Sequence, residues 1–105
     1  MNQPSPKYYV GQLVHHKLFD YRGVIYDVDP YFQGTDKWYD SMAKSKPPKD
    51  KPWYHVLVNN AVHTTYVSEQ NLIPDDSKQP IDHPMIDTHF DKFGEGKYSA
   101  THRLN

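Results

Sequence analysis

The histidine side chains are the residues of this chain best suited to bind a metal ion. His15, His16, His55 and His63 lie in segments of strand-like sequence. A regular strand points the neighbours His15 and His16 to opposite faces, so they cannot chelate one ion together. The chain has no cysteine, and no carboxylate stands at ligand spacing beside these histidines. We therefore predict that they bond to the backbone or line an interface, with no metal or cofactor bound.

Asp27 and Asp29 are a pair of carboxylates whose spacing suits acid–base chemistry. They lie two residues apart and share one strand face, and His55 could lie opposite them. The pair stands at a strand end before Pro30, where acids commonly cap loops or meet basic side chains. No nucleophile, glycine-rich phosphate loop or metal-binding set accompanies it. We predict that the protein is not an enzyme and has no catalytic residues.

Basic side chains gather in two places that could contact DNA, the first turn and a later proline-rich loop. The candidate DNA contacts are His15, Lys17 and Arg22, then Lys46, Lys49 and Lys51. The formal net charge is −1, whereas a dedicated phosphate binder usually carries a basic excess. An ordinary solvated hairpin tip and a solvated loop are the alternative interpretation.

The first two strands are indicated by alternating apolar residues. Tyr8 to Leu18 is predicted as one strand, with Val10, Val14 and Leu18 on the same face. A turn follows, and Val24 to Val28 is predicted as the second strand.

A β-hairpin is the strongest structural signal in the sequence. Trp53 to Val58 and Val62 to Val67 are rich in β-branched and aromatic residues, and Asn59-Asn60 suits the reversal between them. A helical turn that Ser68 could cap closes this unit.

Between the second and third strands the sequence predicts a helix from Thr35 to Lys44. Thr35 is its expected N-cap, and Trp38 and Met42 lie four apart on the expected buried face. In a chain this poor in aliphatic residues, large aromatics are more often core than platforms for stacking bases. The aromatics so interpreted are Trp38, Tyr39, Trp53 and Tyr54.

The last third of the chain carries apolar residues among prolines and glycines. From about residue 83 to 93 they form a short amphipathic pattern. They could anchor a partner protein, or they could form a strap over the open edge of the sheet, and both alternatives stay open. The candidate protein contacts are Met85, Ile86, Phe90, Phe93, Arg103 and Leu104. Residues 96–105 are predicted to be extended or disordered.

Length and composition indicate one domain. We divide the 105 residues into a lead-in (1–7), a barrel (8–74) with an inserted helix (35–45), and a C-terminal extension (75–105). No apolar run reaches the ~18 residues of a membrane span. Together with the lack of cysteine, this predicts a cytoplasmic protein without a membrane partner.

Several segments, taken together, resemble one family. VGQLVHHKLFDYRGVIYDVDP, WYDSMAKSKPPKDKPWYHVLVNN and HTTYVSEQNL, followed by DHPMIDTHFDKFGEGKY and the terminal RLN, are similar to the HspQ/YccV-like family, also called the hemimethylated-DNA-binding domain family. The similarity covers roughly residues 8–105, in order and with similar spacing.

The resemblance implies an all-β fold, a small SH3-like barrel with one inserted helix and a C-terminal strap, in the bacterial cytoplasm. It implies a heat-shock protein that enhances degradation of selected or denatured proteins by the ATP-dependent Lon protease. It equally implies binding of hemimethylated origin DNA, linked to control of the replication initiator. A small homo-oligomer is a further implication. The net acidic charge favours the protease function over the DNA function.

Overall fold

A computed structural model describes residues 5–100 of the chain. In chain order its elements are β1 (Leu13–His16), β2 (Arg22–Asp29), α1 (Asp36–Met42), β3 (Trp53–Val58), β4 (Thr64–Ser68), a 3-10 turn (Glu69–Asn71), β5 (Leu72–Pro74), α2 (Ile86–His89), β6 (Lys92–Gly94) and β7 (Lys97–Ser99). None of the described helices has the length and apolar character needed to cross a membrane.

Five strands form one antiparallel sheet in the order β4-β3-β2-β1-β5, and β6 and β7 form a separate hairpin. A register shift between Ile25 and Asp27 interrupts the pairing of β2 with β3. Such a bulge increases the local twist of a strand. The predicted small all-β, barrel-like fold with a helix between the second and third strands is confirmed.

Neighbouring residues on the central strands are buried on opposite sides of the sheet. One face carries a core cluster made of Val14, Ile25, Tyr54, Val56, Val67 and Leu72. The other face carries a second cluster made of Leu13, Val24, Leu57, Ile81, Phe90 and Tyr98. The last three members of this second cluster come from the C-terminal extension, so residues 81–98 complete the core.

The described part of the extension, residues 75–100, therefore packs on one face of the central strands and makes no backbone hydrogen bond to β4. Tyr98 donates its backbone N–H to the Gly11 carbonyl oxygen at 2.9 Å, and Lys97 pairs with Gln12. Gly11 has φ +96, and a Cβ there would overlap the Tyr98 carbonyl group. Of the two alternatives predicted from residue 96, extended or disordered, Lys97–Ser99 follow the first, because they form strand β7 and Tyr98 is buried in the core.

The first strand is shorter than its sequence pattern predicts. β1 is limited to Leu13–His16, and both Val10 and Leu18 are exposed. The chain turns directly after His16, whose Nδ1 accepts hydrogen bonds from the backbone N–H groups of Leu18 and Phe19 at 3.1 Å. The buried His16 thus ends the strand, and buried and exposed side chains no longer alternate after it.

The hairpin of β3 and β4 is confirmed, with a longer connection than two asparagines provide. Asn60 adopts a positive φ of 60°, as its type allows, and β4 begins only at Thr64. The Asn59 side chain accepts a hydrogen bond from the Asp82 backbone N–H at 2.7 Å, so the loop is tied to the extension. Ser68 precedes the 3-10 turn, yet its side chain makes no capping hydrogen bond.

The inserted helix begins as predicted and ends earlier. The Thr35 hydroxyl accepts a hydrogen bond from the Trp38 backbone N–H at 3.1 Å, which caps α1. The helix stops at Met42, which is 62% exposed and does not share a buried face with Trp38. Trp38 and its neighbour Tyr39 are instead the half-buried residues that hold α1 against the sheet.

Replacing Phe90 by alanine tests the role of the extension in the core. Phe90 is 4% exposed, so Phe90→Ala should lower the free energy of unfolding by about 3–5 kcal/mol, the usual cost of such a cavity. The matched control Met85→Ala alters a side chain that is 36% exposed and should cost under about 1 kcal/mol. Urea denaturation followed by tryptophan fluorescence measures both, and equal costs would contradict this packing.

Candidate binding surfaces

The basic residues of the first turn have different partners. His15 and Arg22 lie opposite each other in the pairing of β1 with β2. His15 Nε2 lies 2.7 Å from Asp20 Oδ1. Arg22 Nε donates to Asp75 Oδ2 at 2.9 Å, and a second guanidinium nitrogen donates to the Gln79 carbonyl oxygen. Arg22 thus ties the sheet to the extension, which leaves Lys17 as the exposed cation of this group.

The Asp75 carboxyl group is held in its charged form. Burial pushes its pKa upward, but hydrogen bonds from Ser77 and Arg22 and the charge of Arg22 outweigh burial, so the pKa is lowered. The Asp75 and Arg22 side chains are both largely shielded from water. The ion pair is therefore a structural contact and contributes most when the carboxylate is ionised.

The lysines of the proline-rich loop lie over the inserted helix. Lys46 Nζ is 3.3 Å from Asp40, and Lys49 Nζ is 3.2 Å from Asp36. Both ammonium groups also stand over the Tyr39 ring, at 5.3 and 4.3 Å from its centre. Exposed pairs of this kind are weak, so phosphate could displace the carboxylates. Lys51 is exposed.

The candidate protein contacts of the extension lie at different depths. Phe90 belongs to the core, and Ile86 and Phe93 are half-buried against the same cluster. Met85 is the most accessible of the four described residues. Arg103 and Leu104 lie outside the described residues. Contact of these side chains with a partner stays a prediction, and Phe90 could take part only if the extension left the sheet.

The predicted neighbourhood of Asp27, Asp29 and His55 is present. Asp29 Oδ2 accepts a hydrogen bond from the Tyr66 hydroxyl at 2.6 Å and lies 3.0 Å from His55 Nε2. Asp27 pairs with His55 across β2 and β3, and its side chain accepts from the backbone N–H of Val28 at 2.9 Å. The expectation that no carboxylate stands beside the histidines is wrong for His15, which the first turn brings to Asp20, and for His55, which strand pairing brings to Asp29.

These side chains form a hydrogen-bonded network. The ligand atoms of Asp27, Asp29 and His55 lie within 4.8 Å of one another, a spacing compatible with a cation. Asp29 Oδ2 is already shared by His55 and Tyr66. Burial raises the pKa of the Tyr66 hydroxyl, and the hydrogen bond to Asp29 raises it further. Tyr66 therefore stays protonated and donates, and the network fixes the orientation of its ring.

An aromatic cluster attaches the inserted segment to one face of β3 and β4. It comprises Phe32, Trp38, Tyr39, Trp53 and Tyr66, whose ring centres lie 4.8–6.4 Å apart. Trp53 donates its indole N–H to the Pro48 carbonyl oxygen at 3.1 Å, and the Tyr39 hydroxyl donates to that of Pro47 at 2.6 Å. The interpretation of these aromatics as packing residues agrees with the burial of Trp53 and Tyr54.

A groove of about 370 Å³ opens between α1, the turn after β1 and the whole of β4. Its wall includes Leu18, Phe19 and Met42, which are 58%, 68% and 62% exposed. A smaller depression near Gln33 shares Trp38, His55 and Tyr66 with it. We call the larger of the two the β4 groove.

Sequence reasoning missed this groove, because periodicity assigned Leu18 and Met42 to buried faces. The signal that the sequence did carry is the apolar pair Leu18-Phe19 inside a turn, where a solvated turn would be polar. Leu18 and Phe19 are held by His16, which is buried beneath them. Burial lowers the pKa of His16, and the neighbouring His15 adds to this. A neutral His16 can keep accepting both backbone hydrogen bonds through Nδ1.

Comparison with known protein families adds one finding. A family model described as "Hemimethylated DNA-binding protein YccV like" matches residues 6–97 of the chain. The matched span includes the sheet, the inserted helix and most of the extension, so the family pattern extends over all the elements that build the β4 groove.

Replacing Asp75 by asparagine tests the tie between the sheet and the extension. At pH 7 Asp75→Asn should lower the free energy of unfolding by about 1.5–3 kcal/mol, because it removes a charged hydrogen-bond acceptor. The pKa of Asp75 is lowered by folding, so its contribution is present above about pH 4 and disappears as the pH falls through the folded-state value.

The difference between Asp75→Asn and the wild type should therefore shrink from about pH 5 to pH 2. The neighbouring exposed residue supplies the matched control, Asp76→Asn, which should leave the stability unchanged. Urea denaturation across this pH range measures the effect. A difference that is independent of pH would contradict the role given to the ion pair.

Proposed function

The chain belongs to the YccV-like family, and we propose that it is a heat-shock binding protein that promotes the degradation of selected or denatured proteins by an ATP-dependent Lon-type protease. It acts in the cytoplasm, through contacts alone and without chemistry of its own. The β4 groove is the surface at which it holds the protein to be degraded.

The exposed apolar wall of the β4 groove is the observation that carries this proposal. Leu18, Phe19 and Met42 are large apolar side chains that stand together around one groove. Soluble proteins seldom leave such side chains grouped in the solvent unless a partner covers them. An unfolded protein exposes apolar segments, which makes it a suitable partner for this surface.

The polar groups of the described residues support a binding protein rather than an enzyme. The clearest cluster of titratable side chains, Asp29 with His55 and Tyr66, is hydrogen-bonded internally and holds an aromatic ring in place. Tyr66 keeps its proton, so it donates a hydrogen bond to Asp29 and does not act as a nucleophile. Catalysis requires groups poised to act on a substrate, and this network instead satisfies its own members.

Binding of hemimethylated DNA is the second candidate function, and the description of the matching family favours it. The inserted segment offers Lys37, Lys44, Lys46, Lys49 and Lys51 against Asp36, Asp40 and Asp50, a local balance of 5 − 3 = +2. The net charge of −1 would oppose the approach to a duplex. Any DNA contact must therefore come from such a local patch.

A degradation assay tests the protease function. Fluorescein-labelled, unfolded casein is incubated with the cognate Lon protease and ATP, with and without the full chain. We expect faster release of labelled peptides, and the double variant Phe19→Ser with Met42→Ser should lose at least about half of this acceleration. The matched control Val62→Ser changes a side chain that is 80% exposed and does not line the groove, so it should act as the wild type.

No acceleration by the full chain, with the protease active on its own, would contradict the proposal. Acceleration that survives in the double variant would show that the substrate binds elsewhere, and Met85, Arg103 and Leu104 would be replaced by alanine next.

Gel-shift titrations on unmethylated, hemimethylated and fully methylated duplexes test the DNA function. If the inserted segment contacts phosphates, changing Lys46, Lys49 and Lys51 to serine should weaken binding about equally on all three duplexes. It should also reduce the slope of log K against log salt by about 3, near 1 for each lost contact. The control Lys92→Ser, on the hairpin of β6 and β7, should change neither quantity. Unchanged affinity of the triple variant would remove this loop from the DNA function.

A further inference from the structure

Strand β4 is an outer strand of the sheet, and its pairing leaves one side free. The sheet ends at β4 on one side and at β5 on the other, and these two strands do not pair. A strand at the edge of a sheet presents a row of backbone N–H and C=O groups that can pair with another chain.

The register shows which groups face outward. Glu69 donates its backbone N–H to the Pro52 carbonyl oxygen, so this pair belongs to the hydrogen-bonded set. Hydrogen-bonded and non-hydrogen-bonded pairs alternate along antiparallel strands. The pairs of Thr64, Tyr66 and Ser68 with β3 are therefore the non-bonded ones, and their backbone groups point away from β3. Within residues 5–100 neither Thr64 nor Tyr66 makes a backbone hydrogen bond outside the sheet. Ser68 is the N-cap of the 3-10 turn and is 1% exposed, so its backbone groups are not available to another chain.

The β4 groove runs along this free edge and has a wall on each face of the strand. All five residues of β4 line it. On one face Tyr66 contacts Trp38, with a distance of 5.6 Å between ring centres, and Met42 lies beyond. On the other face the Thr65 hydroxyl lies 2.7 Å from that of Tyr21, beside the turn after β1. A strand added at this edge would point alternate side chains toward these two walls.

One polar feature of the groove indicates what such a strand carries. Lys44 is the charged side chain in the lining of the main groove, and no carboxylate lines that part. The lining is otherwise mostly aromatic, aliphatic or neutral. An apolar segment with one acidic residue therefore complements it in charge.

We propose that β4 binds an extended, apolar segment of another polypeptide as an additional strand of the sheet, with an acidic residue of that segment beside Lys44. Main-chain hydrogen bonds to Thr64 and Tyr66 supply affinity that is independent of sequence, and the two walls select apolar side chains at alternate positions. The identification of that polypeptide as a protein destined for degradation rests on the proposed function. The mode of binding does not.

A pair of N-methylated peptides tests this mode on the wild-type chain. The probe is a fluorescein-labelled peptide, Asp-Ser-Val-Thr-Val-Tyr-Val-Ser, whose binding is followed by fluorescence anisotropy. One derivative carries N-methyl groups on its three valines, and the other carries them on the intervening threonine, tyrosine and final serine. N-methylation removes the backbone donors on one side of an extended chain. We expect one derivative to bind about tenfold or more weakly, and the other to bind like the parent peptide.

A substitution in β4 provides the second test. Thr64→Pro removes an outward backbone N–H at the first residue of an edge strand, a position where proline is tolerated. The matched control Thr64→Val keeps the N–H group and the β-branched shape. We expect the proline variant to bind the peptide about tenfold more weakly and the valine variant to bind like the wild type. Circular dichroism establishes that both are folded, and if the proline variant is not, the peptide pair alone decides.

Any of these peptide-binding results would overturn the inference: no binding of the parent peptide, equal binding of the two methylated derivatives, or peptide binding by folded Thr64→Pro at wild-type affinity. Self-association that sedimentation shows to be lost in Thr64→Pro, without peptide binding, would assign the edge to a second copy of the chain and equally overturn it. Edge-dependent peptide binding without any effect on protease activity would reject the proposed function and leave this inference standing. Accelerated degradation without peptide binding at the edge would reject this inference and leave the proposed function standing.

Discussion

The five-stranded sheet is apolar on both faces, and the rest of the structure depends on covering both. Consecutive apolar residues on the central strands, such as Val24-Ile25 and Val56-Leu57, bury one side chain on each face. Rolling the sheet covers only its inner face. The outer face needs other elements, and the C-terminal extension supplies Ile81, Phe90 and Tyr98 to it. The extension is therefore a part of the core that a boundary at residue 74 would have cut away.

The inserted segment covers another part of the outer face and leaves an edge open. Its aromatic cluster packs over β3 and β4, and hydrogen bonds from Trp53 and Tyr39 hold the proline-rich loop in place. This packing stops short of the outer side of β4, where the groove lies. Burying His16 turns the chain so that Leu18 and Phe19 form the opposite wall. A binding surface thus arises beside the elements that complete the core.

The charged residues show why composition says little about their function. Arg22, Lys46 and Lys49 all look like phosphate contacts in the sequence, but Arg22 is shielded and paired with Asp75. Each of the two lysines pairs with its own exposed aspartate and both stand over the Tyr39 ring, and these are weak interactions. To bind a phosphate, Arg22 would have to give up a stronger contact than either lysine would. The three residues nevertheless look equivalent in the sequence.

Local patterns determined strands β1 to β4 with their hairpin, the Thr35 cap and the family, because each depends on residues close together in the chain or on a motif read in order. The short strands β5, β6 and β7 were not predicted. Tertiary structure decided the depth of the side chains. Met42 and Leu18 lie at the groove, although periodicity placed both on buried faces, and Phe90 and Tyr98 lie in the core. Periodicity states which residues share a face of an element. Only packing among elements distant in the sequence decides which faces are covered. In this fold the same packing leaves the edge of β4 unpaired among the described residues.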